Sequence, residues 1–298
     1  MTAQPTFVIA GVQKCGTTSL FQALDLHPRV LRPKHKEIHF FDQHWRRGTS
    51  WYADQFPDLS PGQMTGEATP VYSYGATARR RMIRTLPEVK VVLVLRDPVS
   101  RAYSHYWHSR RNQEDLPTFE EALAAEPQRL ASGNPLDARR FSYFDRGRYV
   151  AQVRPLQRAY GENLLVTTLE QLTADPTGEI GAVMRHVGLD PAEAPELMLP
   201  EVNRYRALSR REERDLQRRT PTRMLRRMVG RDYVVRDRER PPMDPATRAD
   251  LRRRYAKADR RLLELLGWPR LPWDSSANPA DLDLTGTAGS VDRATLPG

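Results

Sequence analysis

The chain has 298 residues, enough to bury a sizeable core in one large domain or two small ones. Hydrophobic residues make up 39% and charged residues 28%, which excludes wholesale disorder, and the single cysteine, Cys15, excludes an intrachain disulfide framework and any multi-cysteine metal site. Lys+Arg number 47 against 37 Asp+Glu, a formal +10; residues 201–260 hold 20 of those cations and 10 of the acids, so the rest carries 27 of each and is neutral.

Thr6 to Ala10 is a short apolar run ending at Gly11 and predicts a buried strand of the parallel type. Thr17 to Leu26 sets Leu20, Phe21 and Leu24 at helical spacing, and Pro28 stops it. Val89 to Leu95 is apolar almost throughout, as a central parallel strand requires. Pro98 follows at a first helical position, and Ser100 to Arg111 reads as helix. Residues 112–145 are more polar and read as helix plus loop over one edge. Tyr149 to Tyr160 reads as helix, Asn163 to Leu169 as strand, and Thr177 to Val187 as helix ended by Gly188. Residues 201–245 are arginine-rich and broken by Pro221, Pro241 and Pro242, which suggests an excursion or lid rather than a separate domain. Thr247 to Leu266 is a long amphipathic helix ended by Gly267, and residues 275–298 read as a disordered tail after a single domain over 1–274. Strands alternating with helices indicate an α/β fold with a parallel sheet. No stretch reaches the roughly 20 apolar residues of a membrane span. Phe7 to Gly11 is too brief for a signal-peptide core, so the expected location is the cytoplasm.

Two constellations carry chemistry. The first is Gly11-Val-Gln-Lys-Cys-Gly-Thr-Thr-Ser19, a glycine-framed loop between strand and helix. Such a turn aims backbone N–H groups and a helix dipole at one point, which suits a phosphate. Lys14 lies within it, with Cys15 and Gly16 beside it and Thr17, Thr18 and Ser19 opening the helix. The lysine precedes Gly16 by two residues, unlike the ATP- and GTP-binding GxxxxGK[ST] pattern. A tight turn capped by threonine is the competing reading. Cys15 is expected to pack rather than react.

The second constellation places Arg96 at the end of the strongest strand and Ser104 eight residues on, where ligands of open α/β sheets bind. Arginine and serine there form a compact phosphate clamp; pairing of Arg96 with Asp97 is the competing reading. Two anion sites at neighbouring strand ends suggest a ligand with phosphates at both ends, such as a nucleoside 3′,5′-bisphosphate.

These two segments, together with Lys36-Glu-Ile-His-Phe-Phe-Asp42, Gly48-Thr-Ser-Trp-Tyr52, Gly66-Glu-Ala-Thr-Pro-Val-Tyr72 and Gly147-Arg-Tyr149, resemble the sulfotransferases that use 3′-phosphoadenosine 5′-phosphosulfate (PAPS), in their heparan sulfate N- and O-sulfotransferase branch. The resemblance covers about residues 6–190, with a weaker echo in 244–273. It implies a P-loop-like three-layer α/β fold with a central parallel sheet and PAPS as co-substrate; no histidine pair shows metal-site spacing together with a third ligand, so no metal is expected. By motif match the Lys14 loop holds the 5′-phosphosulfate, Arg96 and Ser104 the 3′-phosphate, Glu37 is the general base, and His39 supports the base or acceptor. A salt bridge of Glu37 with Lys34 or Lys36, and a structural role for His39, are the competing readings. Phe40 and Phe41 are expected in the core.

Lys36, Glu67, Thr69 and Tyr72 are candidate acceptor contacts; a turn built on Thr69 and Pro70 is the other reading of the last three. The expected acceptor is a hydroxyl or amine of a carbohydrate, glycolipid or small metabolite. A late basic loop closing over the nucleotide has no clear counterpart, Asn203–Arg206 and Arg210-Arg211 being the nearest. Nucleic acid is not expected as a partner, because stacking aromatics do not accompany the late arginines. An ATP-dependent small-molecule kinase is the alternative enzyme class.

Overall fold

The computed structural model describes residues 4–111, 118–195, 197–200 and 241–274. Five strands, β1 (Phe7–Gly11), β2 (Val30–Leu31), β3 (Met64–Glu67), β4 (Lys90–Leu95) and β5 (Leu164–Thr168), form one sheet in the order β2-β3-β1-β4-β5. Every pairing is parallel. β1 is buried at all five positions and β4 at its last five, which is why both read as unbroken apolar runs.

Helices cover both faces. α1 (Thr17–Asp25) packs against α9 (Pro176–Val187), and α9 also lies on β4 and β5. From the other side α7 (Val150–Tyr160) packs on the same two strands and meets α3 (Ala76–Thr85) and α10 (Pro245–Leu266). The remaining helices are α2 (Gly48–Ala53), α4 (Pro98–Arg111), α5 (Phe119–Ala131), α6 (Pro135–Phe141) and α8 (Leu169–Ala174). A second apolar cluster joins α4, α5 and α10 through Tyr106, Phe119, Leu251 and Tyr255. The expected three-layer α/β architecture is the one observed, and the predicted elements are displaced by no more than two residues at their ends.

β2, β3, α2, α3 and α8 were not expected. β2 is two residues long, and Met64-Thr-Gly-Glu67 has neither an apolar run nor clean alternation. β3 forms because parallel pairing on β1 and β2 supplies its partners, and Gly66 fits against the ring of Phe7 where a Cβ would lie 2.5 Å from a ring carbon. The chain passes from β1 to one side of the sheet and returns to the other side at β4. The switch point therefore falls at the carboxyl ends of β1 and β4, the crevice where ligands of such sheets bind.

The expected lid over 201–245, its candidate residues Asn203–Arg206, Arg210 and Arg211, and the tail from 275 lie outside the described residues, apart from 241–245. There the Tyr103 hydroxyl donates to the Pro241 carbonyl at 2.8 Å. No helix among the described residues is long and apolar enough to cross a membrane.

Candidate active site

Two backbone distortions mark the switch point. Among the described residues, Lys14 (φ 73°) and His39 (φ 55°) are the non-glycine residues with left-handed backbone. Such a conformation costs about 1–3 kcal/mol and persists where the surroundings over-determine it, often at functional sites. Gly16 shares it at φ 84° and stands as the residue before α1. It supplies no side-chain cap, so no side chain of its own covers the N–H groups that open the helix.

The loop folds inward at Cys15. Its N–H donates to the Val12 carbonyl at 3.1 Å, its side chain has no exposure, and burial pushes the thiol up to about 12. The cysteine is a packing residue, as read, and its N–H is already bonded within the loop. Thr17 and Ser19 are also buried, whereas Lys14, Gly16 and Thr18 reach the surface.

Arg96 leaves β4 beside this loop. Its Nη1 donates to the Lys14 carbonyl at 3.1 Å, and its own carbonyl accepts from the Tyr149 hydroxyl at 2.7 Å. The two expected anion sites are therefore in contact, and Arg96 braces the lysine loop. Asp97 is not its partner: it caps α4 through the N–H groups of Val99 and Ser100 and pairs with Arg252 at 2.8 Å. Ser104 is buried on the second turn of α4. Beside Arg96 lies a cavity of about 350 Å³ whose walls include Leu169, Glu170, Arg252 and Trp273. Glu170 faces inward with one carboxylate oxygen buried and without a hydrogen-bond partner.

A polar chain runs from α1 into the segment after β2. Lys36 Nζ donates to Thr18 Oγ1 at 2.8 Å and meets Glu37 Oε1 at 2.8 Å. Glu37 Oε2 lies 3.3 Å from His39 Nε2, and His39 Nδ1 lies 3.0 Å from Asp42 Oδ2. With a carboxylate at each ring nitrogen, both nitrogens donate and the ring is an imidazolium. Burial works against that charge, but the hydrogen bonds to Asp42 and Glu37 raise the imidazole to about 9. Burial likewise pushes Glu37 up, yet the His39 hydrogen bond and the Lys36 charge outweigh it and hold the carboxyl at about 2. Glu37 is thus ionised at neutral pH while its side chain stays 39% exposed.

Sequence reasoning placed Glu67, Thr69 and Tyr72 as acceptor contacts, but all three are fully buried beneath this chain. Glu67 ends β3 and accepts from Tyr52 Oη at 2.6 Å and Thr69 Oγ1 at 2.5 Å, with Tyr72 Oη at 3.3 Å from both oxygens. Thr69 Oγ1 accepts from the N–H of Ile38 at 3.1 Å, Tyr72 Oη from that of Phe40 at 2.8 Å, and the Ala68 N–H donates to the Lys36 carbonyl at 2.9 Å. With the His39 N–H also reaching Thr69 Oγ1 at 3.4 Å, the backbone of the segment carrying Glu37 and His39 is pinned from Lys36 to Phe40 by the chain that follows β3. Phe40 and Phe41 anchor it from the core, Phe40 stacking on Tyr52 at 4.5 Å. The carboxyl oxygens of Glu67 are already engaged by Tyr52, Thr69 and Tyr72, and nothing local in the sequence marks that glutamate as buried.

Sequence reasoning also missed the support behind the loop. Arg146, buried and stacked over Tyr74 at 4.4 Å, donates to Gln13 Oε1 of the loop and to Ser142 Oγ at 3.0 Å. Nothing in the pattern of residues 139–149 distinguishes this arginine from the half-buried Arg139 and Arg140 or the exposed Arg148. Among the described residues no group of three or more His, Cys, Asp or Glu side chains is placed to hold a metal ion.

A family model for the sulfotransferase domain matches residues 4–260. Mouse heparan sulfate glucosamine 3-O-sulfotransferase 3B1 is 35% identical over 187 residues, covering 62% of this chain and 46% of that protein. Human heparan sulfate glucosamine 3-O-sulfotransferase 6 is 37% identical over 186 residues, covering 62% of this chain and 52% of its own. The chain thus spans about half the length of the curated relatives it matches. The crystal structure of a sulfotransferase from Alicyclobacillus acidocaldarius superposes with a TM-score of 0.68 at 25% identity, over 89% of this chain and 97% of that one.

Proposed function

Since the chain belongs to the sulfotransferase domain family, we propose that it moves a sulfuryl group from PAPS to a hydroxyl or amine of a carbohydrate-type acceptor, with Glu37 as general base. The observation that carries this reading is the continuous contact from the phosphate-type loop to an ionised carboxylate, Thr18–Lys36–Glu37. An anion-binding turn and a base thus stand one lysine apart, the separation that a donor and an attacking atom need for in-line transfer. The donor supplies an activated sulfuryl group on a phosphate leaving group.

The residues present fit that ligand. The uncapped start of α1 and Lys14 meet an anion, and Lys14 neutralises charge that grows on the departing phosphate. Arg96 and Ser104, on the next strand and its helix, meet the second phosphate, and the cavity beside Arg96, where Leu169 and Trp273 stand among polar side chains such as Ser100, Thr173 and Arg252, suits the nucleobase and ribose. Glu37 takes the proton of the attacking hydroxyl or amine, while His39, held by Asp42, orients it. The acceptor class follows the names of the relatives, which act on a glucosamine of heparan sulfate.

Thermal unfolding with adenosine 3′,5′-bisphosphate, ADP, ATP with Mg²⁺ and a DNA oligomer tests the reading. The bisphosphate at 100 times its dissociation constant should add about 2.7 kcal/mol, with smaller effects from the others. A preference for ATP with Mg²⁺ would replace the reading with a kinase.

A further inference from the structure

Lys36 occupies an unusual place. One ammonium touches a hydroxyl of the anion loop and an oxygen of the carboxylate read as base, both at 2.8 Å. Its backbone is fixed independently, by the Ala68 N–H on its carbonyl. Its side chain is 23% exposed, so the flexible stem has freedom to re-aim while the main chain stays put. The hydroxyl it contacts belongs to the first turn of α1, where the helix has no side-chain cap from Gly16. An anion seated there presents oxygens to the same ammonium that Glu37 now holds.

This matters for the chemistry. The groups facing Glu37 are Lys36 and His39, with Asp42 behind the histidine. While both cations hold it, the carboxylate is ionised but a weak acceptor of protons, because base strength falls as affinity for the proton falls. His39 is fixed from both sides and has no second place to go. Lys36 does.

Building on the reading of Glu37 as base, we propose that Lys36 is a positioning residue that couples occupancy of the anion loop to the proton affinity of Glu37. An anion at the start of α1 draws the ammonium away from Glu37 Oε1, and the carboxylate becomes a stronger base only when donor is bound. Before that, acceptor or water near Glu37 meets a base whose lone pairs are engaged by Lys36.

The test needs no acceptor. The Glu37 carboxyl is titrated by carbon-13 NMR, its signal assigned by its loss in Glu37→Gln, in the free chain and in the chain saturated with adenosine 3′,5′-bisphosphate. Both titrations are repeated in Lys36→Met. Phosphate charge alone raises Glu37 by the same amount in both proteins. Coupling through Lys36 adds to the wild-type rise, which should exceed that of Lys36→Met by about one pH unit. Equal rises in the two proteins overturn the coupling. Lys36→Gln serves as the second variant if Lys36→Met does not fold. Turnover in Glu37→Gln separates this proposal from the reading beneath it: retained turnover removes Glu37 as base, while the two titrations still decide whether Lys36 links loop and carboxylate.

Discussion

Glu37 lies between two cations with different duties. His39 is braced by Asp42 and keeps the carboxylate oriented, while Lys36 ties it to the first turn of α1. Replacing the carboxylate by an amide keeps the size and removes the proton acceptor. Glu37→Gln should therefore lower turnover by roughly 10²–10⁴-fold and leave the affinity for adenosine 3′,5′-bisphosphate nearly unchanged, measured by steady-state assay and calorimetry. The pair also leaves a mark on stability. His39 is raised from 6.5 to about 9, so its contribution is complete below pH 6.5 and fades as pH rises through 9. Glu37 is lowered from 4.5 to about 2, so its contribution is complete above pH 4.5 and fades toward pH 2. Thermal unfolding across this range should show the difference between wild type and His39→Gln largest near pH 5–6 and shrinking on both sides. A difference that does not vary with pH would mean that His39 has the same proton affinity in the folded and the unfolded chain.

At the scale of elements, the site is made where three strand ends meet. β1 delivers the lysine loop, β4 delivers Arg96, and the end of β3 delivers Glu67, Thr69 and the turn to Tyr72, which hold the segment of Glu37 and His39 from below. α8 closes the loop from above: a Cβ on Gly16 would lie 2.7 Å from Leu169 Cδ1, and Gly16 is in the left-handed region. Gly16→Ala should destabilise the chain by about 1–2 kcal/mol in denaturant unfolding and weaken bisphosphate binding more than tenfold, since both the backbone and Leu169 must shift. Unchanged binding would place the anion away from the start of α1. The loop, β1, β4 and their helices were legible in sequence because each rests on a local signal, an apolar run or a glycine-framed turn. β3 was not, since four residues ending in Gly-Glu carry no such signal and form a strand only through neighbours on both sides.

Along the sequence, the positive excess falls in a different stretch from the Lys14 loop, Arg96 and Glu37, with Arg252 the member of that stretch that lines the cavity beside Arg96. The Lys14 loop, Arg96, Ser104 and the segment of Glu37 and His39 lie within the part of the sequence that is neutral overall, and the excess lies in 201–260. The proposed recognition of an anion at the switch point then depends on a few placed donors, and a buried acid keeps the neighbouring Glu37 segment in place. Glu67 has no exposure, and burial raises it from 4.5 to about 7 despite the hydrogen bonds from Thr69 and Tyr52. A raised carboxyl gives stability that is present below pH 4.5 and is lost as pH rises through 7, about 3 kcal/mol over that interval. Glu67→Gln should flatten this slope in chemical unfolding measured from pH 4.5 to 7.5, whatever it does to the absolute level. An unaltered slope would mean that the donors around Glu67 keep it ionised.

By itself the sequence determined the α/β layering, the two segments proposed to bind anions and the resemblance to a family, because strands buried on both faces, glycine turns and motif spacing are properties of adjacent residues. Only the tertiary structure decided that Arg96 braces the Lys14 loop, that Glu67, Thr69 and Tyr72 lie under the site, and that Lys36 joins the loop to Glu37. Those contacts join residues far apart in the chain, and a side chain's burial depends on what packs over it. Neither is encoded by any local pattern.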